Sequence, residues 1–324
     1  LCIFFQIMTG REMDLTGGLA GWWASGRFLT WVNITNVLRQ ISINTIIAVG
    51  MTLVIITGGI DLSVGSIVAL AGVLSSAVLV TGFPPPLLYP KDASLSPVWP
   101  LAASLPVALV IAMAVGALCG AHNAIPIVRL RVPPFIATLA MYLIARGFAY
   151  IYVGGGQVAS LPAKFTDMVG QGPLLVVVAL ITVIAGHILL QYTRFGRAIY
   201  AVGGNEKAAH LSGVNTAKTR FWVYVIVGVL AGIAGLLLAG RLQAGDPKCG
   251  DGYELSAIAA VVLGGASLMG GEGSVLGTLL GAVVIGSLDT GLSLMGVQDF
   301  VQKVVKGYVI LMAVVLDQTK KRSK

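Results

Sequence analysis

Apolar residues run along this chain in long, almost uncharged stretches, separated by short segments rich in glycine, proline and basic side chains. Residues 40–60, 62–90, 168–193 and 221–240 contain no Asp, Glu, Lys or Arg. An α-helix needs about 20 apolar residues to cross a hydrocarbon core of roughly 30 Å, so each run is long enough to span. In residues 93–128 the pattern is broken by His122 and Asn123, which predicts a helix over 98–120 with a turn after it. Residues 133–153 predict a further helix, 255–271 and 274–288 two shorter glycine-rich ones, and 300–316 the last. Only ten residues precede Arg11, half of what a span requires, so a truncated first helix is expected there. The pattern predicts an all-α, polytopic membrane bundle of about ten transmembrane helices, a single domain over 1–324 ending in a short tail at 318–324.

Composition agrees, since 56% of the residues are hydrophobic and 10% charged, whereas a soluble domain is charged at about a quarter of its positions. Cys2, Cys119 and Cys249 are too few and too scattered for a disulfide framework or a metal site. The net charge of +8 sits in clusters between apolar runs and calls for no nucleic-acid partner. Arg129 with Arg131, then Arg194, Arg197, Lys207, Lys218 and Arg220, then Lys320, Lys321, Arg322 and Lys324 fall on one side of the predicted bundle. The positive-inside rule makes that side cytoplasmic, and with it both termini. Residues 83–97, 154–172 and 245–253 then lie outside, as do Arg11, Arg27, Arg39 and Arg241, which run against the rule.

Three polar interruptions carry candidate chemistry. Residues 57–66, TGGIDLSVGS, place Thr57, Gly58, Gly59, Asp61, Ser63, Gly65 and Ser66 between two apolar runs. Irregular backbone survives at membrane depth only where protein or a water-filled cavity surrounds it, which predicts a broken helix or tight turn facing the interior. Asp61 either caps the following helix or lines a transport path. Residues 264–281, GGASLMGGEGSVLGTLLG, echo that pattern with Gly264, Gly265, Ser267, Gly271 and Gly273, and Glu254 is the acid just upstream. The two turns are candidates for equivalent places in a duplicated unit. The third interruption is the basic loop 194–215, with a Gly-Gly turn at Gly203 and Gly204 and a short helix over 205–212 for which Asn205 is the predicted N-cap.

Five segments in order, TGGIDLSVGS, VPPFIATLAM, TRFGRAIYAVGGNEKAAHLSGVN, YELSAIAAVVLGGASLMGGEGSVLGTLLGA and VVKGYVILMAVVLD, resemble the ribose-type monosaccharide permeases of bacterial ATP-binding-cassette importers, in the branched-chain amino acid/ribose permease superfamily. The likeness covers residues 30–317. It implies a multi-pass inner-membrane permease paired with a second permease subunit, a cytoplasmic ATPase that binds ATP and Mg, and a periplasmic sugar-binding protein. It also implies that loop 194–215 docks on the ATPase, through Arg194, Gly196, Arg197, Gly203, Gly204, Asn205, Glu206, Ala208, Ala209, Ser212 and Gly213. The chain departs from the family pattern at Asp289 and Thr290, where asparagine is usual, and at Ala140, where glycine is common.

Other functional classes fit less well. His122, His187 and His210 are scattered without metal-ligand spacing, and no cofactor or catalytic constellation is expected in this chain. Gly-Lys, which ends a phosphate-binding P-loop, occurs nowhere, so ATP hydrolysis would belong to a partner. An ion-coupled secondary transporter would need acids inside its helices, whereas Asp61, Glu254, Glu272 and Asp289 are expected near helix ends.

Overall fold

A computed structural model of the chain describes residues 1–2, 5–6, 28–89 and 100–322. Most of the expected first helix, the loop carrying Arg11 and Arg27, and the end of the tail lie outside the described residues. The helices run in the order α1 (Trp31–Ile56), α2 (Val64–Thr81), α3 (Leu101–Arg129), α4 (Pro134–Tyr152), α5 (Ala163–Gly170) and α6 (Leu174–Tyr192), then α7 (Arg194–Gly204), α8 (Glu206–Leu211), α9 (Thr216–Leu242), α10 (Tyr253–Leu263), α11 (Val275–Leu294) and α12 (Asp299–Arg322). Among the described residues, seven of these, α1, α2, α3, α4, α6, α9 and α11, are long and apolar enough to span a membrane.

Local chemistry sets several of the starts. Thr193, Asn205, Asn215 and Ser274 each accept a backbone N–H from three residues on, at 2.9–3.0 Å, closing the N-termini of α7, α8, α9 and α11. Pro134 opens α4, where a missing N–H costs nothing.

Burial sorts the spanning helices into layers. Of their apolar windows, 83% in α1 and 89% in α2 is buried inside the protein, against 22% in α3 and 28% in α4 and in α6. A helix that is apolar all round and buried all round belongs at the centre. The outer helices instead turn Leu118, Leu143, Phe148 and Ile181 outward, which suits a lipid boundary.

α3 and α9 approach until their backbones touch. A Cβ on Gly116 would stand 2.0 Å from the carbonyl oxygen of Gly228, and one on Gly228 would stand 2.0 Å from that of Gly116. Small residues spaced four apart, Gly116 and Gly120 facing Gly228 and Gly232, let two spanning helices gain dispersion contact without side chains between them. Gly228→Leu is therefore expected to lower the melting temperature of the detergent-solubilised protein and to reduce the monodisperse fraction on gel filtration. Overpacking a tight interface costs about 1–3 kcal/mol or more. A variant that melts with the wild type would show that this contact is not formed.

Several expectations are corrected. No turn follows residue 120: α3 continues through His122 and Asn123 to Arg129, because Asn123 points inward to a hydrogen bond and leaves the helical ladder intact. The run 255–271 does not span, since α10 holds 11 residues, about 16 Å of rise, before the glycine turn. Gly203 and Gly204 form the last turn of α7, and the chain breaks instead at Asn205, whose φ of -159° and ψ of 101° are extended. Asp289 lies inside α11 rather than near its end.

Candidate functional site

The first interruption folds as an irregular link between α1 and α2. α1 ends at Ile56, Gly58 turns the chain with a φ of 77°, and residues 59–63 run without helix up to α2. Asp61 is fully buried, and its Oδ1 accepts from the backbone N–H of Ser63 at 2.8 Å and from the Ser63 hydroxyl at 2.6 Å. The cap position itself belongs to Ser63, whose side chain makes no capping bond, so Asp61 braces the turn before α2 rather than capping the helix. The Asn123 amide of α3 donates to the Ser63 hydroxyl at 2.8 Å, and the Thr138 hydroxyl of α4 donates to the Ile60 carbonyl at 3.3 Å. Asp61 Oδ2, Asn123 Oδ1 and the Tyr224 hydroxyl of α9 are buried here without a hydrogen-bond partner. At Gly59 a Cβ would meet the Tyr224 hydroxyl at 2.6 Å, so a larger residue there would push that side chain aside.

The second turn, residues 264–274, lies directly against the first. The Gly271 N–H donates to the Ile56 carbonyl at 2.9 Å, satisfying an end group of α1 that its own helix leaves free. Ser267 N–H donates to the Glu272 carbonyl at 3.0 Å and closes the turn on itself.

α7 grips both turns. Its Tyr200 hydroxyl donates to the Gly273 carbonyl at 2.7 Å, and burial pushes that phenol above its ordinary pKa, keeping it a neutral donor. At Gly203 a Cβ would stand 1.7 Å from the Ile56 carbonyl oxygen and 2.6 Å from the Gly271 nitrogen. The end of α1, the 264–274 turn and the end of α7 thus meet through backbone atoms.

The coupling-loop candidates divide into two groups. Gly196 and Ala209 are buried and Gly203 is wedged between the turns, so these three pack inward. Arg194, Arg197, Gly204, Asn205, Glu206, Ala208, Ser212 and Gly213 are exposed. Glu206 is paired with Arg220 of α9 at 3.0 Å, which ties α8 to the bundle at a partly exposed site. Leu211, which the sequence pattern did not single out, is 87% exposed on the same small helix and gives it an apolar tip.

Glu254 does not join this cluster. It lies in the first turn of α10, its Oε1 accepting from the Gly252 N–H at 3.2 Å, and its Oε2 lies against Gly65, the second residue of α2. The chain reaches it by dipping back: Gly245 pairs with Val158 through two 2.9 Å bonds and sits against Ser76, while Gly250 sits against Gly65. Between those points α2 rises about 16 Å, and residues 245–250, with a turn closed by the Cys249 N–H on the Asp246 carbonyl, form a strap along its face. Arg146 of α4 holds the strap, donating from Nη1 to the carbonyls of Pro247 at 2.5 Å and Cys249 at 2.7 Å. Sequence reasoning missed it, although a lone arginine inside the apolar run 133–153 was signal enough.

Gly65 and Ser66 are buried at the start of α2, Thr57 at the end of α1, and Gly264 and Gly265 cap α10 at the approach to the second turn. Among the described residues no group of three or more His, Cys, Asp or Glu is placed to hold a metal ion. Arg39 donates to the Gln171 carbonyl, which sets it on the same face as the loop over 154–172.

Known proteins were compared with this architecture. Residues 33–314 match the family described as "Branched-chain amino acid transport system / permease component". The chain is 42% identical to the Ribose import permease protein RbsC of Bacillus subtilis (strain 168) over 299 residues, covering 90% of this chain and 87% of that one. It is 35% identical to the Xylose transport system permease protein XylH of Haemophilus influenzae over 363 residues, 92% of each chain, and 36% identical to that organism's Galactose/methyl galactoside import permease protein MglC, with 92% and 89% covered. No solved structure matches. With the family match spanning most of its helices and relatives of such identity along nearly its whole length, the chain belongs to the branched-chain amino acid transport system permease family and is a multi-pass, all-helical membrane permease.

Proposed function

We propose that the chain is the membrane-spanning subunit of an ATP-binding-cassette importer that carries a monosaccharide, a ribose-like pentose or a hexose, across the bacterial inner membrane. A cytoplasmic ATPase binds ATP and Mg and drives it, a periplasmic sugar-binding protein delivers the substrate, and a second permease subunit, identical or related, completes the path. Both termini and the α7–α8 face lie in the cytoplasm. The observation that carries this reading is the exposed helix pair α7–α8, wedged by Gly203 into the two turns. A motor that docks on Asn205, Glu206, Ala208 and Leu211 displaces α7, and α7 is in direct contact with the ends of α1 and of the 264–274 turn.

The contact of α7 with both turns supports an alternating-access step. ATP binding brings the two ATPase subunits together, α7 shifts, and the turns at 57–63 and 264–274 move with it. Ribose import relatives support the substrate class. The deciding measurement is radiolabelled sugar uptake into proteoliposomes holding the permease, the ATPase and the binding protein. Uptake is expected only with ATP and binding protein present, and none with a proton or sodium gradient alone. Accumulation driven by an ion gradient in the absence of the ATPase would overturn the proposal.

A further inference from the structure

A cavity of about 370 Å³ lies between α1, the start of α10, the outer half of α11 and α12, on the side of α1 away from Asp61. Asn44 stands twelve residues before the end of α1 and Asp289 fourteen after the start of α11, which puts both about 18–21 Å from the cytoplasmic turns, near the middle of the bilayer core. The volume is at the lower end of the roughly 300–1,000 Å³ range of small-molecule sites.

The walls combine apolar surface with unmet hydrogen-bond capacity. Ile41, Leu255 and Ile285 supply aliphatic surface. Asp289 Oδ2 accepts from Lys306 Nζ at 2.9 Å, but Asp289 Oδ1 and Asn44 Oδ1 are buried without any partner. A buried acceptor left unpaired costs about 1–3 kcal/mol, and two side chains that line this cavity each carry one, which a donor entering there would relieve once they turn toward it. The charged side chains on the wall are Asp251, Glu254 and Asp289 against Lys303 and Lys306, a formal balance of −1. Glu254 also occupies the first turn of α10, countering the partial positive charge that a half-helix would otherwise turn toward an anion. That balance disfavours anionic solutes, and the mixture of acceptors, ammonium donors and aliphatic wall suits a small solute that carries hydroxyls.

We propose that this cavity is a binding site within the permease where a neutral polyhydroxylated ring rests in transit, its hydroxyls donating to Asn44 and Asp289 and accepting from Lys306. The proposal rests on the sugar-import reading above and adds to it: the permease, and not only the protein that delivers substrate, recognises the solute. Ion-pairing to Lys306 holds one oxygen of the Asp289 carboxylate and leaves the other without a partner. Aliphatic wall residues accept the C–H face of the ring.

The test uses the complete complex in proteoliposomes. Ser256 lines the cavity without serving the coupling turns, and Ser256→Trp fills it. Expected is a fall in ATP-driven sugar uptake of at least about tenfold, while binding-protein-stimulated ATP hydrolysis stays within about twofold of wild type, because the motor contacts are untouched. Uptake within about twofold of wild type would overturn the site. If both activities fall, Ser256→Cys decides: the variant is assembled first and then treated with a bulky thiol reagent, with the wild type treated in parallel. Loss of uptake only after modification of the variant, with ATP hydrolysis retained, supports the site, and unaltered uptake overturns it. Failure of the sugar-import reading looks different, since the unmodified wild-type complex would then take up no sugar with ATP.

Discussion

Gly203→Ala is expected to abolish ATP-driven uptake, while Gly204→Ala, one residue further on, leaves it within about twofold of wild type. The two glycines are adjacent in sequence and opposite in surroundings. A Cβ at Gly203 would fall 1.7 Å from the Ile56 carbonyl oxygen and 2.6 Å from the Gly271 nitrogen, whereas one at Gly204 meets nothing within 4 Å. No rotamer relieves a clash between a Cβ and backbone, so either α7 lifts off the turns or the turns separate. Lifting α7 breaks the Tyr200 to Gly273 bond, and parting the turns breaks the Gly271 to Ile56 bond, about 1 kcal/mol in either case on top of the steric cost. Uptake and ATPase association are measured separately. A Gly203→Ala protein that imports normally would show that α7 is not seated between the turns.

Arg146→Met is the second large change. Methionine keeps much of the length but removes the donors that satisfy Pro247 and Cys249, leaving two carbonyls at the strap unpaired. Hydrogen bonds from a charged group contribute about 1.5–3 kcal/mol each, so the expected destabilisation is roughly 3–5 kcal/mol. Arg146→Lys recovers only part of it, because an ammonium reaches one carbonyl more readily than two. Limited proteolysis at Lys248 reads the strap directly: the half-life of the chain under trypsin should drop in Arg146→Met and recover in part in Arg146→Lys. Equal resistance in all three proteins would mean that the guanidinium does not hold the strap.

Helix number and order were largely legible in the sequence, because nothing but apolar length decides whether a segment can stay in a bilayer. The limits of that signal are physical. His122 and Asn123 looked like a turn because polarity along a chain cannot reveal that Asn123 faces inward, toward Ser63, in an unbroken helix. α10 looked like a span because the glycine turn after it is itself apolar, and hydropathy does not distinguish a helix from a buried turn. The candidate site was legible in part: residues 57–66 and 264–281 read as interruptions from their glycines, and the backbone is irregular over 57–63 and 264–274, with helix resuming at Val64 and Val275. That α7 inserts between them depends on contacts of backbone atoms far apart in sequence, which no local pattern carries. Asp289 was placed near a helix end, whereas its helix runs on to Leu294 and its charge is matched by Lys306, a partner visible only once α11 and α12 are packed. The cavity could not have been read at all, since it takes four helices to enclose it.

At Gly203, contact between α7 and the two turns passes from backbone to backbone, with the Tyr200 hydroxyl as a side-chain tether beside it. Side chains are compliant: a rotamer change absorbs a displacement of an ångström before the neighbouring backbone feels it. Backbone contact at Gly203 has less such slack, so a displacement of α7, as the proposed coupling requires, is passed on to the end of α1 and to the second turn with little loss. Stiffness of this kind also sets how the permease fails, since a joint with little play is not worn gradually by substitution; it either transmits the stroke or comes apart.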